Sequence, residues 1–155
     1  MTGLVVVAPV AGTVVGLAGV PDPVFAQELV GSGTAVEPAD GAGVVMVVAP
    51  VAGNLMKVHP HAFVVLTPDG VGVLVHLGID TVHLGGEGFT VHRAEGDDVA
   101  QGERVVSFDV ALVRGKDLSA VCPVVVLDSP AGAVAAATGH MVDAGEPLFA
   151  YSTGR

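Results

Sequence analysis

The chain has 155 residues and a formal net charge of −10, from 16 acidic against 6 basic side chains. An acidic chain repels phosphate backbones and has no basic stripe to release counterions, which argues against nucleic acid and for a basic protein partner. Hydrophobic residues make up 51% and aromatics only 4%, with 22 glycines and 10 prolines, the composition of many short valine-rich strands joined by sharp turns around one core.

The first apolar stretch, Leu4–Val10, has no basic segment ahead of it, so no signal peptide is expected. The chain begins at what reads as its first strand. Three segments then echo one another: Ala8-Pro9-Val10-Ala11-Gly12-Thr13, Ala49-Pro50-Val51-Ala52-Gly53-Asn54 and Ser129-Pro130-Ala131-Gly132. A second echo pairs Gly96-Asp97-Asp98-Val99 through Gly102-Glu103 with Gly139-His140-Met141-Val142 through Gly145-Glu146. Units too small to bury their own apolar face must pack on each other, so the repetition predicts a duplicated sandwich. Between the echoes, Val20-Pro21-Asp22-Pro23-Val24-Phe25 places a proline-stiffened turn before an apolar pair. The polar breaks Thr34–Gly43 and Gly85–Gly88 read as loops. The longest apolar run, Val44–Ala52, is far short of the ~18 residues that span a bilayer.

The stretch from Lys57 to Asp80 predicts a β-hairpin, with Thr67-Pro68-Asp69-Gly70 as its turn. A loop of those four residues puts His61 opposite His76. A tighter Asp69-Gly70 turn pairs His76 with Phe63 and leaves His61 one diagonal step away. Either way the two imidazoles share a face, ~5 Å apart if directly opposed. Further on, Val110–Leu118 is the one candidate for a turn or two of helix. Asp97, Asp98 and Glu103 read as a solvated turn, and His83, His92 and His140 carry no motif. Cys122 is the sole cysteine, so no internal disulfide forms, which suits a reducing cytoplasm; beside Pro123 it reads as a buried structural thiol. The fold expected is all-β: a mostly antiparallel sandwich of duplicated strand–turn–strand units with very little helix. With no linker in view, residues 1–155 are expected to form a single domain.

A histidine pair on a sheet face has three readings: ordinary packing, metal binding or phosphoryl transfer. A neutral imidazole is a competent nucleophile near pH 7, and a second can donate to the phosphoryl oxygens. Alternatively His59-Pro60-His61 is an H-x-H that, with His76, could hold a zinc ion with one open position. His61 and His76 alone could also collect adventitious zinc. Met56-Lys57 is reminiscent of a biotinyl lysine, but Lys57 enters the histidine strand rather than an exposed tip.

Val20-Pro21-Asp22-Pro23-Val24-Phe25-Ala26-Gln27, Ala49-Pro50-Val51-Ala52-Gly53, His76-Leu77-Gly78-Ile79-Asp80-Thr81-Val82, Gly86-Glu87-Gly88-Phe89 and Cys122-Pro123-Val124-Val125 decide among these readings. Together, from Leu4 to about Ala150, they resemble the glucose-type enzyme IIA family of the bacterial sugar phosphotransferase system. The resemblance implies a cytoplasmic β-sandwich phosphocarrier for sugar uptake, with no cofactor and no direct membrane insertion. It would take phosphate from the carrier HPr on His76, with His61 stabilising the phosphoryl group, and pass it to a cysteine of an enzyme IIB domain. It also implies a docking face of Val24, Phe25, Ile79 and Val82, edged by Asp22 and Asp80. Against the enteric pattern, the segment Gly53–His61 is about two residues shorter, and the threonine that supports the first histidine there is replaced, with His59 near its place.

Overall fold

The computed structural model describes residues 3–152. In chain order it runs β1 (Gly3–Val7), β2 (Gly12–Val15), α1 (Pro23–Ala26), β3 (Gly31–Glu37), β4 (Val44–Val48), β5 (Gly53–His59), β6 (Ala62–Leu66) and β7 (Gly72–His76). There follow β8 (Phe89–Val91), β9 (Asp98–Val99), β10 (Arg104–Asp109), α2 (Val110–Gly115), β11 (Cys122–Leu127), β12 (Met141–Val142) and β13 (Pro147–Ser152). Single 3-10 turns occupy Leu17–Gly19 and Thr81–Leu84. Every strand pairing is antiparallel.

An eight-stranded sheet in the order β12-β2-β3-β11-β7-β6-β5-β9 forms the main layer, faced by β4-β10-β8 and by the ribbon β1-β13. The duplication is written in hydrogen bonds. Ala8 N–H reaches Glu146 O and Gly145 N–H returns to Ala8 O; Ala49 repeats this with Glu103 and Gly102. Likewise Val14 pairs with Gly139 and His140 as Leu55 does with Gly96 and Asp97. The halves meet through β11 and β7, so the sheet reads the same outward from its centre, and Val7→Pro50 and Val48→Pro9 stitch the repeats together. Gly12 and Gly53 are equivalent for a steric reason. A Cβ on either would lie 2.2 Å from a carbonyl oxygen, of Glu37 and Leu66 respectively. The third echo fails: after Ser129-Pro130 the chain turns at Gly132 (φ +80) and no strand follows directly. The Thr34–Gly43 loop is also shorter than expected, because β3 continues to Glu37. Gly33 lets β3 lie close on β11, where a Cβ would meet Val124 O at 2.0 Å.

The core between the layers holds Val6, Val47, Leu55, Phe63, Val75, Leu77 and Phe108, all within 1% of full burial. A second, smaller cluster lies on the outer face of the main sheet. Leu17, Val20 and Phe25, from the segment around α1, cover Ala35, Val125, Val121 and Ile79 there. Cys122 is fully buried and its thiol is pushed up to about 12, mainly by burial, which makes it an inert structural residue.

The hairpin forms, in a different register from either expected. Its pairs are Ala62↔His76, Phe63↔Val75 and Leu66↔Gly72. Thr67 and Val71 also bond to one another (2.9 Å), so the loop is Pro68-Asp69-Gly70, with Gly70 left-handed at φ +86. An odd loop of this kind follows from a left-handed glycine after a turn. His61 is therefore shifted off the ladder's end, into the Pro60–His61 turn, where its carbonyl accepts from Leu77 N–H at 2.7 Å.

Candidate functional site

His76 is the last residue of β7 and faces outward with Leu74, on the side covered by the α1 segment. His61 reaches the same place by another route. Strand alternation alone would aim it at the opposite face, with Leu77. Lying in a turn, it is free of that alternation, and its ring centroid sits 5.3 Å from that of His76, edge-on at 73°. Phe25 also meets His76, tilted at 58° with ring centroids 5.2 Å apart, and His59 stacks on His61 at 5.8 Å and 25°.

The tautomer of His76 follows from its partner. Nδ1 lies 2.6 Å from Gly78 O. A carbonyl only accepts, so Nδ1 carries the hydrogen and Nε2 keeps its lone pair. Gly78 is left-handed (φ +76), and a Cβ there would meet Thr81 Cγ2 at 2.7 Å and Ser119 O at 2.8 Å. Thr81 Oγ1 donates to Leu77 O at 2.7 Å and fixes the same bend. The group that orients His76 is thus a backbone carbonyl two residues on, and not the Asp80 carboxylate. The glycine of His-Leu-Gly-Ile-Asp was the signal for it.

Both imidazoles are held neutral. Burial, then the neighbouring His76 and His59 rings, push His61 down to about 4. Burial also lowers His76, opposed by its bond to Gly78 and by the charges of Asp22 and Asp80. A histidine depressed in the fold takes up its proton more readily when unfolded, so stability is full above the unfolded value and falls as pH drops. The thermal midpoint should therefore fall between pH 6.5 and pH 4. That slope should be visibly shallower in His61→Ala, as read by calorimetry across the range.

The expected docking residues separate into two groups. Val24 and Val82 are exposed, at 41% and 55%, and Asp80 is exposed with a left-handed backbone (φ 62). Phe25 and Ile79 are instead 5% and 3% exposed, which corrects their placement on a surface. Asp22 caps α1 by accepting from Val24 N–H at 3.0 Å; that cap turns Val24 outward and Phe25 inward against His76. For the zinc alternative, no group of three or more His, Cys, Asp or Glu among the described residues is arranged to hold a metal ion.

Residues 4–131 match the family model described as phosphoenolpyruvate-dependent sugar phosphotransferase system, EIIA 1. The chain belongs to this family. It is 50% identical over 121 residues to the "PTS system glucose-specific EIIA component" of Halalkalibacterium halodurans, covering 77% of this chain and 68% of that one. Against the component of the same name from Oceanobacillus iheyensis it is 42% identical over 125 residues, 79% and 73% of the two chains. It is also similar to a stretch of the "PTS system glucose-specific EIICBA component" of Streptococcus pneumoniae, 48% identical over 114 residues, 71% of this chain and 15% of that one. Among solved structures, the glucose permease IIA from Mycoplasma capricolum superposes with a TM-score of 0.83 at 32% identity, covering 97% and 96% of the two chains. The all-β, mostly antiparallel sandwich is therefore the family's fold. The protein is a phosphotransferase component, a phosphocarrier of the sugar phosphotransferase system. Among the described residues no helix is long and apolar enough to cross a membrane.

Proposed function

We propose that His76 accepts a phosphoryl group from the phosphohistidine of HPr and passes it to a cysteine of an enzyme IIB domain in the cytoplasm. The observation that carries this is the 2.6 Å contact from His76 Nδ1 to Gly78 O, which leaves Nε2 as the nucleophile. The Nε2 lone pair forms the new N–P bond as the donor's N–P bond breaks, its electron pair returning to the donor imidazole. Nδ1 keeps its proton throughout. Transfer onward reverses the roles: an acceptor thiolate attacks phosphorus and the N–P electron pair returns to Nε2. Phosphoryl transfer has a loose transition state, so the protein's work is positioning and charge stabilisation. His61, with its ring 5.3 Å away, donates to the equatorial oxygens.

The fused EIICBA relative supports a IIB domain as the acceptor. Val24 and Val82, with Asp22 and Asp80 at the edge, form the docking face, while Phe25 and Ile79 support it from below. A partner with a basic rim suits the charge of −10. Val82→Asp or Val24→Asp should raise KM for phospho-HPr about tenfold without lowering the thermal midpoint, as expected for an exposed contact in a desolvated interface. The proposal as a whole is tested by incubating the protein with phosphoenolpyruvate, enzyme I and HPr and measuring its mass. One added phosphoryl group per chain is expected; an unchanged mass would overturn the reading.

A further inference from the structure

His76 and His61 are held in place by different means. His76 is locked by its bond to Gly78 O and flanked by Phe25. His61 has no such anchor: it lies in the Pro60–His61 turn, outside the strand ladder, and among the described residues no hydrogen bond reaches either of its ring nitrogens. Its backbone is fixed through its carbonyl to Leu77 N–H, but a fixed backbone leaves the ring free to rotate about its side-chain bonds. Two ring contacts remain. His76 meets His61 edge-on, and His59 lies nearly parallel to it at 5.8 Å and 25°. The T-shaped contact with His76 does not hold the two ring planes parallel; the stacked contact with His59 does.

We infer that His59 is a positioning residue for the relay: its ring, stacked on His61, sets the plane in which His61 presents a nitrogen to the phosphoryl group on His76. This rests on the proposed phosphotransfer through His76 and His61. His59 is well placed for the task. It ends β5 and pairs with Ala62, so the turn brings it back over His61, and Val58 beside it is tied down by an N–H bond to Glu95 at 3.2 Å. The arrangement also explains how His61 can work with both nitrogens uncommitted: stacking fixes the plane and consumes neither nitrogen. One is then free to donate to a phosphoryl oxygen while the other exchanges with solvent.

His59 is exposed, so its replacement should leave the fold intact, and two variants separate the stack from the imidazole. His59→Ala removes the plane; His59→Phe keeps it without a nitrogen. Carbon relaxation of the His61 ring, measured on unphosphorylated protein, should show a mobile ring in His59→Ala and an ordered one in His59→Phe and the wild type. Phosphate uptake from phospho-HPr should slow about tenfold in His59→Ala, a cost expected of a misplaced group, and recover most of its rate in His59→Phe. An ordered His61 ring or an undiminished rate in His59→Ala would overturn the inference. So would a His59→Phe protein as slow as His59→Ala, since the nitrogen would then matter and not the plane. If the wild type takes up no phosphate, the phosphotransfer reading falls, and ring relaxation alone still decides whether His59 orders His61.

Discussion

His76→Ala should accept no phosphate from phospho-HPr, while its thermal midpoint stays near that of the wild type. Among the described residues, the variant removes the only imidazole whose nitrogen is aimed by a backbone carbonyl, Gly78 O at 2.6 Å. Neither neighbour can replace it: His61 lies in the Pro60–His61 turn and His59 at the end of β5, and among the described residues no backbone carbonyl bonds to either ring. The fold should survive because His76 lies at the end of β7 on the outer face, away from the main core. His61→Ala should behave differently. The nucleophile remains and one donor to the transition state is lost, a change that typically costs ~3 kcal/mol, or on the order of a hundredfold in rate. It should be labelled slowly and should donate poorly. Rapid-quench labelling of both variants separates these outcomes. Acid-labile phosphate on His76→Ala would move the nucleophile to His61 or His59.

Phe25→Ala should cost about 3 kcal/mol of stability, the low end for a buried phenylalanine truncated to alanine. At 5% exposure the ring fills the centre of the small outer cluster, against Leu17, Val20, Ile79 and Val125. It also closes one side of the His76 ring at 5.2 Å. Its loss would open a cavity under the nucleophile, so phosphate uptake should fall together with stability. Urea denaturation gives the stability and labelling gives the rate. A loss below about 1 kcal/mol with normal uptake would mean that Phe25 is a surface residue after all. This reverses what the family resemblance implies, which is a place for Phe25 on the docking face.

The two cases show where the sequence was legible. The duplication could be read because its glycines are obligatory: Gly12 and Gly53 sit where a carbonyl lies 2.2 Å from any Cβ, so the echo marks a real steric demand. The Ser129-Pro130-Ala131-Gly132 echo carries no such demand, since a Cβ on Gly132 meets nothing, and the likeness there was not structural. The hairpin was legible but not its register, because the left-handed Gly70 turned an even loop into an odd one. The imidazoles met regardless, because His61 lies in a turn and escapes strand alternation. The docking face was half legible. Which of Val24 and Phe25 points outward depends on α1, a single turn capped by Asp22, too short to leave a helical period in the sequence.

Phosphoryl relay through His76 depends on one nitrogen, so the most direct test is the position of the phosphoryl group on the wild-type protein. Phosphorus and nitrogen NMR of ring-labelled protein, phosphorylated through HPr, should place one phosphoryl group on Nε2 of His76. Its N–P bond should hydrolyse in acid and survive in base, and Nδ1 should still carry its hydrogen toward Gly78 O. A phosphoryl group on Nδ1 of His76, or on His61, would contradict nucleophilic attack by His76 Nε2.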